Sequence, residues 1–324
     1  MNILFYGFGH DHVTTLYNRV KNNEKTNAIA CLEEDAEIRA RVEIEDIVWD
    51  ENSYDYWLAN KDVDVVAICG VYGNRGNAII KALEAGKHVI ADKPICITLK
   101  EYKKIKKLLK EKNLKLACLY DLRYTPAAKA AKKIFESGEL GEVTNVSYTG
   151  QHCLGYDSRP SWYFKKGMHG GTLNDLSIHG IDLITHLTGN YITDVLSAKC
   201  WNAYADKHED FKDCAMYMAE LNNGGVVMAD TSYSAPISVY GSDIYWNFKF
   251  WCKKGLLNFS FKNSFVTVYK MGADKPEIVE GIVDDANWLD DFILEIENDT
   301  STFTDSVLKS TEIALTIQKY ADKH

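Results

Sequence analysis

NILFYGFGHDHVTTLYNRV, residues 2–20, starts as an apolar run of strand length, breaks at Gly7-Phe8-Gly9, and resumes with the spacing of a helix. Glycines at such a junction let the chain turn tightly and bring bare backbone amides against a pyrophosphate, at the positive end of the next helix. His12 stands where the G-x-G-x-x-G pattern has its third glycine, so the fingerprint is incomplete. A strand-to-helix turn that binds nothing is the competing reading.

Outward from this stretch, apolar runs recur at 27–32, 63–69, 87–91 and 115–119, with helix-length segments between them. In NRGNAIIKALEAG, Ile79, Ile80 and Leu83 keep the helical period and Gly86 ends it. Alternation of strand and helix predicts a parallel sheet covered by helices on both faces. Past a helical stretch at 126–137 the pattern changes. VTNVSYTGQHC, ITDVLSAKCWNAY and CAMYMAELNNGGVVMADTSYSA, with its NNGG turn, read as strands of an antiparallel sheet, and DIYWNFKFWCKKGLLNFSFKNSFVTVYKMG as further hairpins. Helices are expected at 172–188, 287–298 and 305–321. In DIYWNFKFW both alternating sets are largely apolar, with Ile244, Trp246, Phe248 and Phe250 on one face and Tyr245 and Trp251 on the other. Something is expected to cover the outer face, either a segment of the same chain or the sheet of a second copy.

With 324 residues, 46% of them hydrophobic, the chain can bury a sizeable core, and its length favours two domains. A formal charge of -9 works against nucleic acid or an anionic membrane as partner. The one basic run, KEYKKIKKLLKEKNLK at 100–115, spaces Ile105, Leu108 and Leu109 as a helix and reads as a solvated helix face. Eight scattered cysteines, with no C-x-x-C pair and no histidine cluster at ligand spacing, point to reduced thiols and to no metal. No apolar stretch reaches the roughly 18 residues of a membrane span, and no signal peptide is evident, so a cytoplasmic protein is expected.

Three further stretches carry chemistry. The second apolar run ends in Cys31-Leu32-Glu33-Glu34-Asp35, where a carboxylate, with Glu33 the candidate, can accept the adenosine ribose hydroxyls; otherwise it is a polar loop. No arginine follows directly to take a 2′-phosphate, which favours NAD over NADP. HVIADKPICITLKE ends a strand in Asp92-Lys93-Pro94, where the lysine is able to reach a substrate hydroxyl, although D-K-P is more often a plain surface turn. HGGTLNDLSIHGIDLITHLTG opens a helix carrying Asp175, His179 and Asp182 at i, i+4 and i+7. A lone histidine on such a helix is usually structural; an aspartate one turn earlier makes a general base plausible.

Taken in order, G-x-G, ALEAGKHVIADKP, LRYTPAAKAAKKIFESGELGEV and the GG-x-x-x-D-x-x-x-H-x-x-D pattern resemble the glucose-fructose oxidoreductase / inositol dehydrogenase / MocA (Gfo/Idh/MocA) family over nearly the whole length. The resemblance implies an α/β chain. An N-terminal Rossmann domain with a doubly wound parallel sheet would occupy 1–120. A C-terminal α+β domain with an open, mainly antiparallel sheet would occupy 121–324, its last helix packing back on the first domain. It implies a homodimer or homotetramer through that sheet, and hydride exchange between nicotinamide and a carbon of a sugar, glycoside or polyol such as a cyclitol. Carried over by position, Lys93, Asp175 and His179 become the catalytic set. His179 would take the hydroxyl proton, Lys93 stabilise the oxygen, and Asp175 orient the imidazole or bind a neighbouring hydroxyl. NAD would contact Gly7, Phe8, Gly9, His10 and His12 in the first loop, and Glu33 beyond the second strand. It would also meet Cys69, Gly70 and Asn74 beyond the third, then Asp92, Lys93 and Asp121. Arg123, Tyr124, His152 and Trp162 are weaker candidates for the sugar pocket, since each could equally pack between domains.

Departures from the family pattern fall on the cofactor side. Asp92 stands where glutamate is usual, Arg75 where the T-P-N-x-x-H stretch has histidine, and Asp121 where asparagine is common. Whether NAD is released is therefore open. A glycoside-cleaving enzyme that keeps NAD bound and oxidises its sugar transiently is the second expectation; a non-catalytic NAD-binding regulator is the third.

Overall fold

Five short apolar strands, β1 (Asn2–Tyr6), β2 (Asn27–Leu32), β3 (Val65–Ile68), β4 (His88–Ala91) and β5 (Leu116–Cys118), pair in parallel in the order β2-β1-β3-β4-β5 in this computed structural model, which describes residues 1–324. Ile3, Leu4, Val65, Val66, Val89 and Ile90 are inaccessible to solvent, as strands covered on both faces require. The helices between them are α1 (His12–Lys21), α2 (Ala36–Arg39), α3 (Tyr54–Ala59), α4 (Tyr72–Glu84) and α5 (Leu99–Lys112). In α5, Tyr102, Ile105, Leu108 and Leu109 are buried, and Thr98 and Glu101 form a reciprocal cap at its start. The lysines between those apolar positions make the solvated face that their spacing predicts.

The chain divides into two units. The first comprises residues 1–119, 160–170 and 288–311; the second comprises 120–159, 171–287 and 312–324. In the first, strand order reverses at β1: β2 lies on one side of it and β3 on the other. Such a reversal opens a crevice at the carboxyl ends of the strands. The loops after β1, β2, β3 and β4 all leave from that edge.

The second unit is built on eight strands in the order β13-β12-β11-β10-β6-β9-β8-β7. They are β6 (Val143–Thr149), β7 (Ile192–Trp201), β8 (Cys214–Leu221), β9 (Val226–Ser232), β10 (Asn247–Cys252), β11 (Gly255–Ser260), β12 (Phe265–Lys270) and β13 (Glu277–Glu280). Every neighbouring pair is antiparallel except β6 and β9. The α6 helix (Pro126–Ser137) and the α7 helix (Ile178–Thr188) belong to the same unit; α8 (Trp288–Glu297) and the first half of α9 (Thr302–Ala321) belong to the first. On one face of the large sheet Phe248, Phe250 and Phe259 stack and are buried, with Phe135 of α6 against Phe250. Trp251 points to the other face and is exposed. The expected alternation therefore holds at 248–251, but β10 begins only at Asn247, and Ile244 is exposed in the preceding turn. No helix is long and apolar enough to cross a membrane.

Candidate functional site

The glycines of the opening stretch are demanded by close approach. Gly7 has φ +79°, and a Cβ there would lie 2.7 Å from Cα of Gly70, in the loop after β3. A Cβ on Gly9 would come within 3.1 Å of the Val71 amide nitrogen. The two loops are pinned by the His10 amide donating to the Cys69 carbonyl, while the Gly7 amide donates to the carbonyl of Leu32. Cys69 itself is buried, and burial pushes its thiol well above the ordinary range. A bare cradle at the start of α1 results, with His12 as the first residue of the helix.

Both histidines turn toward one carboxylate. His10 Nδ1 lies 2.7 Å from Asp92 Oδ2, and His12 Nδ1 lies 2.9 Å from Asp92 Oδ1. Asp92 also accepts the Lys93 amide at 2.7 Å and an N–H of Arg75 at 3.4 Å, and it is wholly inaccessible to solvent. Burial alone would raise its pKa; the histidines and Arg75 outweigh that and hold the carboxyl well below the usual range. For His10, burial dominates and lowers its pKa to about 4, against the pull of Asp92. The favoured form is thus a neutral imidazole lying against an ionised Asp92. The three side chains do bring possible ligand atoms within 4.8 Å of one another, a cluster that sequence spacing did not disclose because Asp92 is 80 positions from His12. Oδ1 already meets His12 Nδ1 and the Lys93 amide, and the Arg75 guanidinium lies beside Oδ2, so an added dication would meet a positive neighbour.

Other cofactor candidates fall around the same strand ends. Lys93 is buried, at 5% exposure, and its peptide bond to Pro94 is cis. Glu33 is differently employed from the expectation: Oε2 accepts the Phe8 amide at 2.6 Å and Oε1 the Asp35 amide at 3.0 Å. Its carboxylate braces the glycine loop. Beside it Glu34, Tyr6, Tyr54, Asn74, Arg75 and Lys81 line a pocket of about 350 Å³, with Tyr6 and Tyr54 stacked at 3.8 Å. Burial, reinforced by Glu34, pushes the Tyr6 hydroxyl up to about 12. Trp162, expected near the sugar, belongs to the first unit, where Nε1 donates to the Gly9 carbonyl at 3.2 Å and the ring packs edge-on to Tyr72.

The second unit holds the remaining candidates. Asp175 is buried in a π-helical turn, Leu173–Ser177, immediately before α7, and Tyr233 donates its hydroxyl to Oδ2. A π turn adds a residue to the turn and often marks a functional position. It shifts Asp175 off the regular i, i+4, i+7 stripe expected with His179 and Asp182. His179, second in α7, meets Trp246 edge-on at 5.4 Å. Asp182 is bound bidentately by Arg123, with Nε 2.6 Å from Oδ2 and the pair buried. Arg123 therefore anchors α7 to the 3-10 turn Asp121–Tyr124 rather than lining a pocket alone. That turn also carries Asp121 and Tyr124, both partly exposed. His152 Nδ1 lies 2.8 Å from the Tyr240 hydroxyl. Tyr233 and Tyr240 carried no motif and could be found only from the fold.

Residues 1–120 match the oxidoreductase family with an NAD-binding Rossmann fold, and residues 128–258 match the GFO/IDH/MocA C-terminal domain. The chain belongs to the Gfo/Idh/MocA family. Over 149 residues it is 34% identical to a levoglucosan dehydrogenase of Pseudarthrobacter phenanthrenivorans, covering 44% of this chain and 38% of that one. Over 198 residues it is 29% identical to a scyllo-inositol 2-dehydrogenase (NAD(+)) of Bacillus subtilis, covering 60% and 55%. The matches thus span about two fifths to just over half of these relatives' lengths. A solved levoglucosan dehydrogenase in complex with NADH and levoglucosan shares the fold with a TM-score of 0.80, at 21% identity over 100% of this chain and 97% of that one.

The burial of His10 has a pH signature. Burial lowers its pKa from the usual 6.5 to about 4, so the unfolded chain binds the extra proton first as pH falls. Stability from this group is full above pH 6.5 and is lost progressively as pH falls toward about 4. Urea unfolding across this window should be less steep in pH for His10→Gln, which is polar but cannot titrate. Equal steepness would contradict a neutral, buried His10.

Proposed function

We propose that this Gfo/Idh/MocA protein is an NAD-dependent dehydrogenase that exchanges a hydride with a secondary alcohol carbon of a sugar, glycoside or cyclitol. The observation that carries the reading is the cradle at the ends of β1, β3 and β4. Its glycines leave room only for backbone, and Asp92 ties it to the segment bearing Lys93. Such a cradle fits a dinucleotide pyrophosphate. Bound NAD would supply the hydride acceptor. His179 takes the hydroxyl proton, Lys93 donates a hydrogen bond to the same oxygen as negative charge builds on it, and Asp175, braced by Tyr233, orients the imidazole or holds a neighbouring hydroxyl. Because Glu33 is engaged by backbone amides, Glu34 is the better acceptor for the ribose hydroxyls. Glu34 and Asp55 in the same pocket oppose a 2′-phosphate, and Lys81 there is already paired with Asp55, which supports NAD over NADP.

The test is formation of reduced nicotinamide by the purified protein with NAD or NADP and a panel of levoglucosan, inositols, free sugars and glycosides, with product analysis of each mixture. NADH from one substrate class is expected. Glycoside cleavage without net NADH would replace this reading with a cleavage that regenerates its NAD, and no turnover of any panel member would remove the substrate class. Lys93→Ala and His179→Ala should each lower kcat by about 10²- to 10⁴-fold with NADH affinity nearly kept. Wild-type turnover in either would take that residue out of the mechanism.

The large sheet supports a second copy as partner. Met216, Met218, Met228 and Trp251 are exposed on its outer face, Met228 by 59%, and a shallow groove there of about 470 Å³ is bordered by Lys199, Asp230 and Lys249. Apolar side chains gathered on one sheet face favour sheet-to-sheet association. Met228→Glu should give a smaller particle by light scattering with an unchanged melting temperature; an unchanged particle mass would place any interface elsewhere.

A further inference from the structure

Arg75 breaks a local rule. It sits in the first turn of α4, where the helix dipole disfavours a cation and no acidic residue accompanies it, and its side chain is fully buried. The reason lies across the sheet edge. Nη1 donates toward three successive carbonyls, those of Asp92 at 3.0 Å, Lys93 at 2.8 Å and Pro94 at 3.0 Å. Nη2 donates to the Gly70 carbonyl at 2.8 Å and toward Asp92 Oδ2 at 3.4 Å. Tyr72 covers the guanidinium, 4.7 Å from its ring centre.

Strand β4 ends at Ala91, so the carbonyls of 92–94 lie beyond its ladder. Three carbonyl dipoles aimed at one point repel one another and the adjacent Asp92 carboxylate unless a cation sits among them. A guanidinium satisfies all of them because its planar fork reaches two directions at once, back to Gly70 and across to 92–94. A lysine ammonium is a single point and cannot span both loops. A neutral side chain leaves the carbonyl cluster without its counter-charge.

We propose that Arg75 is the positioning residue for Lys93: by gathering the carbonyls on both sides of it and tying them to Gly70, Arg75 fixes the backbone from which the lysine side chain departs. The proposal rests on the role given to Lys93 above. Displacement of an acid or base by about 1 Å costs roughly 10² in rate, so Arg75 should act on kcat and not on substrate KM.

The test is a double-mutant cycle of Arg75→Gln and Lys93→Ala, with Arg75→Lys as a second variant that keeps the charge. Turnover is read with NAD and the best panel alcohol, alongside melting temperature and amide exchange of the peptide containing Asp92 and Lys93. Arg75→Gln and Arg75→Lys are expected to lower kcat by roughly 10²-fold in the presence of Lys93 and to have almost no effect in the Lys93→Ala background. Their melting shift should be the same in both backgrounds, and exchange should quicken at 92–93. A full multiplicative loss in the Lys93→Ala background would reduce Arg75 to a structural residue and overturn the inference. So would unchanged exchange at 92–93, a readout that needs no substrate and uses Arg75→Lys if the glutamine variant does not fold. If Lys93→Ala alone keeps wild-type turnover, the role of Lys93 fails instead, and the exchange result still judges the clamp.

Discussion

The buried carboxylate of Asp92 is the constraint on which the first unit depends. Removing an ionised carboxyl from water is expensive unless donors surround it. Here two imidazoles, a guanidinium and a backbone amide do so. Because these donors come from the loop after β1, the start of α1, the start of α4 and the end of β4, one charge fixes four pieces of chain. Geometry at the glycine cradle and at Lys93 is thereby one property. A shorter acid than the glutamate usual in the family pattern is consistent with this role, since its oxygens lie within reach of His10 and of His12, which stands at the third glycine position.

The second unit uses the same device at a smaller scale. Arg123 and Asp182 form a buried bidentate pair between the 3-10 turn and α7. Tyr233 holds Asp175 where the π turn presents it, and Ser177 and Thr231 join their hydroxyls at 2.8 Å nearby. The Leu173 amide is met by the side chain of Gln318 at 3.0 Å, and a Cβ on Gly171 would run into that same side chain. The segment that carries the acid and the histidine is thus braced from both ends, by groups far away in sequence. Such bracing is what the roles proposed for Asp175 and His179 would require.

Strands and helices were legible because each rests on local period. The run at 27–32 and the helix at 126–137 coincide with β2 and α6, and the NNGG turn joins β8 to β9. The two short helices between β2 and β3 carried no such period. At the candidate site, residue types were readable but their partners were not. Glu33 looked available for a ribose because sequence does not show the Phe8 amide reaching it across 25 positions. Arg123 looked like a sugar ligand because Asp182 lies 59 positions away, and Trp162 because nothing local reveals the Gly9 carbonyl it meets. The spacing of Asp175 and His179 assumed a regular helix, which the π turn alters. Arg75 stood out only as a departure, and its purpose needed the carbonyls of 92–94 in view.

The most direct measurement is a fluorescence titration of NADH into the wild-type protein and Asp92→Asn, with melting temperature recorded for both. An amide keeps the size of the side chain but removes the charge that draws the loops together. The account predicts that NADH binds the variant at least about tenfold more weakly, roughly 1.4 kcal/mol, while the protein remains folded. Equal affinity in a folded variant would contradict it, since the cradle would then hold its shape without Asp92.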